Sequence, residues 1–244
     1  MNGNASDQAL IDVVSASTPT TIEEVIAVMK EIDRVLPGND GLKWFNLLYL
    51  MVTKEVLDHP PENGWLRPEW LSHLDVVFAN LYFVAIKQLS ANAGSIPSSW
   101  SALFEARHRA GIDRIQFALA GMNAHINHDL PFALEQTNQE LNVNPGHDSP
   151  EHDDFEQVNN LLENVLPNAL EFLASGKLGE VAQDSGKIGR LLAMWSVRKA
   201  RDTAWENRNI LEELEALPLL RRRFVAVLDR VTGLAGRGLL LPIQ

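Results

Sequence analysis

The chain has 244 residues, 45% of them hydrophobic and 22% charged, close to globular averages, so wholesale disorder and fibrous repeats are excluded. Basic residues number 21 against 32 acidic ones, and the formal charge of -11 sets up a mean field that repels phosphate, making nucleic acid and anionic membrane surfaces poor partners. There is no cysteine, which removes disulfides, thiol nucleophiles and iron–sulfur clusters together, so any metal must sit on His, Asp and Glu.

Residues 1–19 are small and polar and predict a flexible N-terminal arm. No basic start followed by an apolar run marks a secretory signal, and no stretch of 18 or more apolar residues spans a bilayer, so the expected location is the cytoplasm. Thr20 or Thr21 caps a first helix, with Glu23 and Glu24 suiting its dipole, and Pro37-Gly38 ends it. A second helix covers about 41–58 and stops before His59-Pro60-Pro61. A third opens at Pro68 and runs to about Leu89. Residues 91–97 read as a loop, and Ser98 or Ser99 caps a short helix.

Helical spacing returns from about Ala110 to Leu130, with Pro131 at its end or at a kink. Residues 142–153 are the most turn-rich stretch. Asp153 with Glu156 resembles a capping box and opens a helix to about Ala174. Residues 176–186 break the pattern, a long helix spans about 187–216, and a last one from Pro218 fades by Gly233. The apolar tail from Leu239 to Ile243 is expected to dock on the body. With no alternating strands and no repeat period, the reading is all-α: one multi-helix bundle of roughly seven to nine helices over residues 20–244.

Chemistry concentrates in residues 121–131, Gly-Met-Asn-Ala-His-Ile-Asn-His-Asp-Leu-Pro. On an ideal helix of about 100° per residue, counted from Asn123, His128 falls at about 140°, His125 at about 200° and Asp129 at about 240°. The three share one arc, and spacings of three and four residues bring such side chains together. Gly121 lies one turn earlier on the same face and leaves room for close approach. Two imidazoles and a carboxylate on one rigid helix are a ligand set for a borderline divalent cation such as zinc, or manganese or iron. His108, His152, Asp153 and Asp154 are candidates to complete it. Without metal the same trio is an acid–base pair with an orienting carboxylate. As structure alone, the Asn/His/Asp cluster is a buried network that specifies helix packing.

A second constellation is Arg198, Arg201, Asp202, Trp205 and Asn209 on the 187–216 helix, with Leu191 and Met194 extending its face. Arg198 and Arg201 would clamp an anionic group beside a Trp205 wall, or one of them would pair with a buried acid such as Asp129. Arg221-Arg222-Arg223 reads as a solvated cluster at a helix end. No nucleotide or flavin motif occurs.

The 121–131 segment resembles the signature of an uncharacterised bacterial family, domain of unknown function 5995. Phe45-Asn46 with Tyr49 and Thr53, Leu74-Asp75 with Phe78-Ala79 and Tyr82-Phe83, and Arg201 with Ala204-Trp205 are similar to it as well. The resemblance covers about residues 20 to 240 and implies a single α-helical domain with a site around His125 and Asp129. It brings no established activity. His125 and Asp129 followed by Pro131 are also similar to a metal-binding helix of the all-α zinc phospholipase C and nuclease group. His128-Asp129 looks like the dyad of HD-domain phosphohydrolases, with His108 upstream, although Leu130-Pro131 stands where that family continues with small residues.

The functional expectation is a small-molecule enzyme, most concretely one of divalent-metal-assisted hydrolysis. His125, His128 and Asp129 are the metal ligands. His128, Asp129, Arg198 and Arg201 serve catalysis, and Asn123, Asn127 and Trp205 bind substrate. The alternatives are a metal-independent acid/base isomerase or cyclase of secondary metabolism, and a non-catalytic helical binding or assembly protein. The oligomeric state is left open.

Overall fold

The computed structural model describes residues 3–90, 96–174 and 196–242, and among them every regular element is helical. The elements are α1 (Gly3–Ser15), α2 (Ile22–Val35), α3 (Gly41–Asp58), α4 (Pro68–Lys87), α5 (Ser98–Ala106) and α6 (Arg114–Ala124). A π turn (His125–Asp129), α7 (Leu130–Leu141), α8 (Pro150–Ala174), α9 (Val197–Glu213) and α10 (Pro218–Leu239) follow. The expected break over 176–186, and Leu191 and Met194 with the start of the 187–216 helix, lie outside the described residues.

Local signals account for most boundaries. Thr21 caps α2 by accepting from the Glu24 N–H, and Asp40 caps α3 by accepting from the Leu42 N–H. Asp113 and Gln116 form a capping box at α6. Asn142 ends α7 in the left-handed region at φ 52, which Asn tolerates better than most residues. The helix from 150 opens a turn earlier than Asp153 suggested, because Ser149 Oγ accepts from the His152 N–H.

Two stretches depart from the sequence expectation for one reason, tertiary packing. The flexible arm is instead mostly α1, whose Leu10 and Val14 are fully buried in the common core. An ion pair of 2.6 Å between Asp7 and the buried Arg107 ties it down further. The last helix does not fade at Gly233 but runs to Leu239, because Gly233 lets α10 press against α5. A Cβ there would come within 2.5 Å of the Ser98 carbonyl oxygen.

The π turn joins α6 and α7 into one rod through the centre of the bundle. All of α6 from Ile115 to Ala124 is buried. The rod packs against α3, α4, α9 and α10, so its side chains between residues 121 and 130 reach the middle of the molecule.

Candidate functional site

Pro131 shapes the site before any side chain does. Proline has no N–H, so an α-helix passing through it leaves the carbonyl four residues back without its donor. Here the ladder shifts by one residue: the Leu130 N–H donates to the His125 carbonyl, five residues back. The rod therefore continues through Pro131 to Leu141 instead of ending there. Such π turns recur at functional sites because they re-aim side chains.

Asp129 joins the two imidazoles of the expected trio, one on each carboxylate oxygen. Asp129 Oδ2 lies 2.9 Å from His125 Nδ1, and Asp129 Oδ1 lies 2.7 Å from His128 Nδ1. The indole N–H of Trp100 also donates to Oδ2, at 3.0 Å. Burial alone would raise the Asp129 pKa, but the two imidazole bonds outweigh it and hold the carboxyl below its ordinary value. An ionised carboxylate only accepts, so both Nδ1 atoms carry the proton. Burial pushes His125 below the ordinary imidazole value despite Asp129, leaving a neutral ring with Nε2 as a bare acceptor. That Nε2 is buried and has no hydrogen-bond partner among the described residues. His128 is opposite in sign: burial works against its charge, yet Asp129 and Asp229 together raise its pKa. Its Nε2 lies 3.8 Å from Asp229 Oδ1 on α10.

Aromatic packing fixes the His125 ring. Phe78 stacks on it at 3.5 Å between centroids, with the planes 2° apart, and Tyr49 meets it edge-on at 4.7 Å. One turn along the rod, Phe45 packs directly on Gly121, where a Cβ would come within 2.3 Å of the ring. The close approach expected of Gly121 is thus made by a core phenylalanine.

His125 borders a cavity of about 60 Å³ lined by α3, α4, the central rod, α8 and α9. At roughly 10–15 Å³ per water centre, this holds several waters or a compact organic molecule. The walls are mostly apolar. The polar side chains among them are Tyr49, Thr53, Asp75, His125 and Arg201. Burial drives the Asp75 pKa up to about 7, with Arg201 pulling the other way. Arg201 is itself lowered to about 10 by burial and stays charged at neutral pH. It is held by Asn159 Oδ1 at 2.6 Å and the Phe155 carbonyl at 2.9 Å, and lies 4.0 Å over the Phe155 ring.

The remaining expected residues lie elsewhere. His128 does not line the cavity, so the pair of imidazoles does not share one hollow. Arg198 turns outward and bonds Glu156, Glu163 and Asn160 of α8 at 2.9–3.0 Å. Trp205 is buried against Trp70, His152 and Phe155, outside the cavity wall. Asn123 donates to the Thr232 carbonyl at 2.9 Å, anchoring α10 to the rod, and accepts from Asn127 of the same rod at 3.1 Å. Neither arginine pairs with Asp129. His108 sits beside Asp40, His152 beside His147, and Asp154 accepts from the Leu66 and Arg67 N–H groups. Among the described residues, no group of three His, Asp or Glu side chains is arranged to hold a metal ion.

Asp75 is the site residue whose role the sequence reading missed. It is the sole charged residue between Leu74 and Ile86, and such a lone carboxylate in an apolar helix was the available signal. Tyr49 and Thr53, like Asp75, are among the residues of the family resemblance, but their types are common on partly buried helix faces and did not mark them as cavity-lining.

A family model described as a family of unknown function (DUF5995) matches residues 22–242. No curated protein and no solved structure matches the chain.

Proposed function

We propose that this chain, which belongs to the family of unknown function DUF5995, performs metal-independent proton transfer on a compact, largely apolar small molecule. One observation carries the reading. A neutral imidazole, His125, is oriented through Nδ1 by a buried carboxylate, keeps Nε2 unpartnered, and borders an apolar cavity. This is the arrangement of a general base with its orienting group.

Two further groups suit the same chemistry. Asp75, with its pKa raised to about 7, is poised to give or take a second proton near neutral pH. Arg201 offers a fixed positive charge for a carbonyl or carboxylate of the ligand. The reaction class that fits is isomerisation or tautomerisation, in which His125 removes a proton next to a polarised carbonyl and Asp75 assists its return. Metal-assisted hydrolysis asks more of the residues than they offer. Both carboxylate oxygens of Asp129 and both Nδ1 atoms are committed to one another, and His128 is turned toward α10.

The test uses the full chain and phenylpyruvate as probe. Exchange of its benzylic hydrogens in deuterated water is followed by proton NMR, while nitrogen-15 NMR reports the His125 tautomer. The expected result is exchange above the buffer rate that His125→Asn abolishes and Arg201→Gln weakens through binding. A proton resident on His125 Nε2, with a ring unperturbed by phenylpyruvate or phenylacetate, contradicts the reading.

A further inference from the structure

Among the described residues, twelve large hydrophobic side chains stand exposed, and seven of them fall between Leu217 and Leu241, in or beside α10. Soluble surfaces scatter such residues; their concentration on one element marks a contact. At about 100° per residue, Leu220, Val227, Val231 and Leu234 occupy an arc of roughly 60°. They are 50–62% exposed. Thr232, Gly233 and Gly236, which α10 buries against the body, lie on the opposite side. The stripe extends roughly 21 Å along the helix.

Charge accompanies the stripe. Arg223, Arg230 and Arg237 recur every seven residues along one of its edges, whereas Arg221 pairs with Glu135 of the body at 2.7 Å and Arg222, though exposed, lies on the far side of the helix from the stripe. Arg223 and Arg230 make no ion pair among the described residues, while Arg237 lies 3.5 Å from Glu105. Asp229 is the one acid on α10, and it turns inward to accept from the Ser98 and Ser99 N–H groups at 2.9 Å. Five arginines against one acid make α10 +4 in a chain of net -11, so the remainder stands at -15. The mean charge that argued against anionic surfaces thus conceals a basic, amphipathic helix on the outside of an acidic body.

The geometry selects the occupant. A two-fold antiparallel pairing of α10 with its copy sets like edges together, arginine row against arginine row. A parallel pairing brings that row to the opposite edge, where Phe224, Leu228 and Ala235 offer no acid. The face is also a convex rod rather than the groove in which amphipathic peptides lodge. A flat anionic layer meets both demands, since apolar side chains enter the acyl boundary while arginines meet headgroup phosphates.

We propose that α10 docks this protein on an anionic lipid surface, lying in the plane of the headgroups. The test is co-sedimentation of the full chain with vesicles of phosphatidylcholine alone, and with about a third phosphatidylglycerol. Light scattering after gel filtration is run alongside. Binding is expected only to the anionic vesicles. Val227→Asp/Val231→Asp and Arg223→Glu/Arg230→Glu should each reduce partitioning roughly tenfold or more. All four positions are exposed, so unchanged thermal melts should show that both variants fold. Absence of sedimentation with anionic vesicles overturns the proposal. So does a solution dimer that Val227→Asp/Val231→Asp splits, which would give the face to a second copy. Binding to anionic vesicles that either variant leaves intact overturns it as well.

Discussion

Asp75 on α4 and Arg201 on α9 face one cavity from different helices and form no salt bridge within 4.0 Å. Arg201 spends its bonds on Asn159 and the Phe155 carbonyl instead. The two charges therefore feel each other across space that a ligand can occupy, which is how Arg201 lowers the Asp75 pKa without cancelling the effect of burial.

That relationship sets a pH dependence. Asp75 has a folded pKa of about 7 against 3.8 for the ordinary group. The native state thus holds a proton that the unfolded chain has released, and stability falls as pH rises between these values. The loss is on the order of a few kcal/mol at most, since cavity solvent screens the charge. Asp75→Asn should gain stability relative to wild type on going from acid to alkaline pH. Urea unfolding at several pH values checks this, and a constant difference contradicts it.

The two imidazoles on Asp129 should titrate on opposite sides of the ordinary histidine value. Burial holds His125 low, so its contribution to stability is lost as pH falls below about 6.5, where the unfolded ring takes up a proton. The carboxylates hold His128 high against its burial, so its contribution is full below about 6.5 and lost as pH rises through the raised value. Nitrogen-15 NMR of the rings resolves both, and two coincident titrations would refute the shared-carboxylate account.

Asp129→Asn keeps the shape and removes the charge. One face of an amide accepts and the other donates, so it cannot serve two Nδ1–H groups and the Trp100 indole together. A loss of about 1–3 kcal/mol is expected from the donor left unpaired. His128 should return toward its ordinary pKa. A calorimetric or urea stability equal to wild type would show that the network is dispensable.

Gly121→Ala sets two effects against each other. Alanine favours a helix interior by about 1 kcal/mol over glycine. The added methyl, however, meets the Phe45 ring at 2.3 Å, and Phe45, 1% exposed, can yield only by moving into the cavity it lines. Overpacking of this kind costs about 1–3 kcal/mol, so net destabilisation is expected. Phe45 also lines the cavity, so binding of phenylacetate should weaken in parallel. Thermal melts and calorimetric titration check the two halves separately.

Asp229→Ala removes the acceptor for the Ser98 and Ser99 N–H groups, which the preceding Pro97 does not cap. A loss of about 1 kcal/mol is expected, the usual cost of a helix cap. The His128 titration should move down as well, because Asp229 supports its charge. A stability change without any movement of His128 would separate the cap from the dyad.

How much of this was legible can be followed residue by residue. Val25, Ile26, Met29 and Ile32 recur at helical spacing, and Thr21, Asp40 and Asp113 are acceptors placed just before apolar runs. Such signals act within a turn of chain, so they survive in the sequence alone. The density of His, Asn and Asp between residues 123 and 129 marked a segment whose His125 borders the cavity. The contact of His125 with Asp129 follows from their spacing of four, which the π turn preserves.

The aim of each side chain was not legible, because it depends on partners far along the chain. His128 turns to Asp229, a hundred residues away, and Asn123 to the Thr232 carbonyl, so two expected site residues became struts for α10. Arg198 found acids on α8, while Arg201, three residues on, reached the cavity. Asp75 stood among the residues of the family resemblance but without a role, because a carboxylate on a helix is ordinary until the surrounding walls are known to be apolar. Sequence determined the helices, most of their ends and the contact of His125 with Asp129, since those are set by local hydrogen bonds and spacing. Tertiary structure alone decided which groups share a cavity and which carry charge there, because burial and long-range pairing exist only once the helices pack.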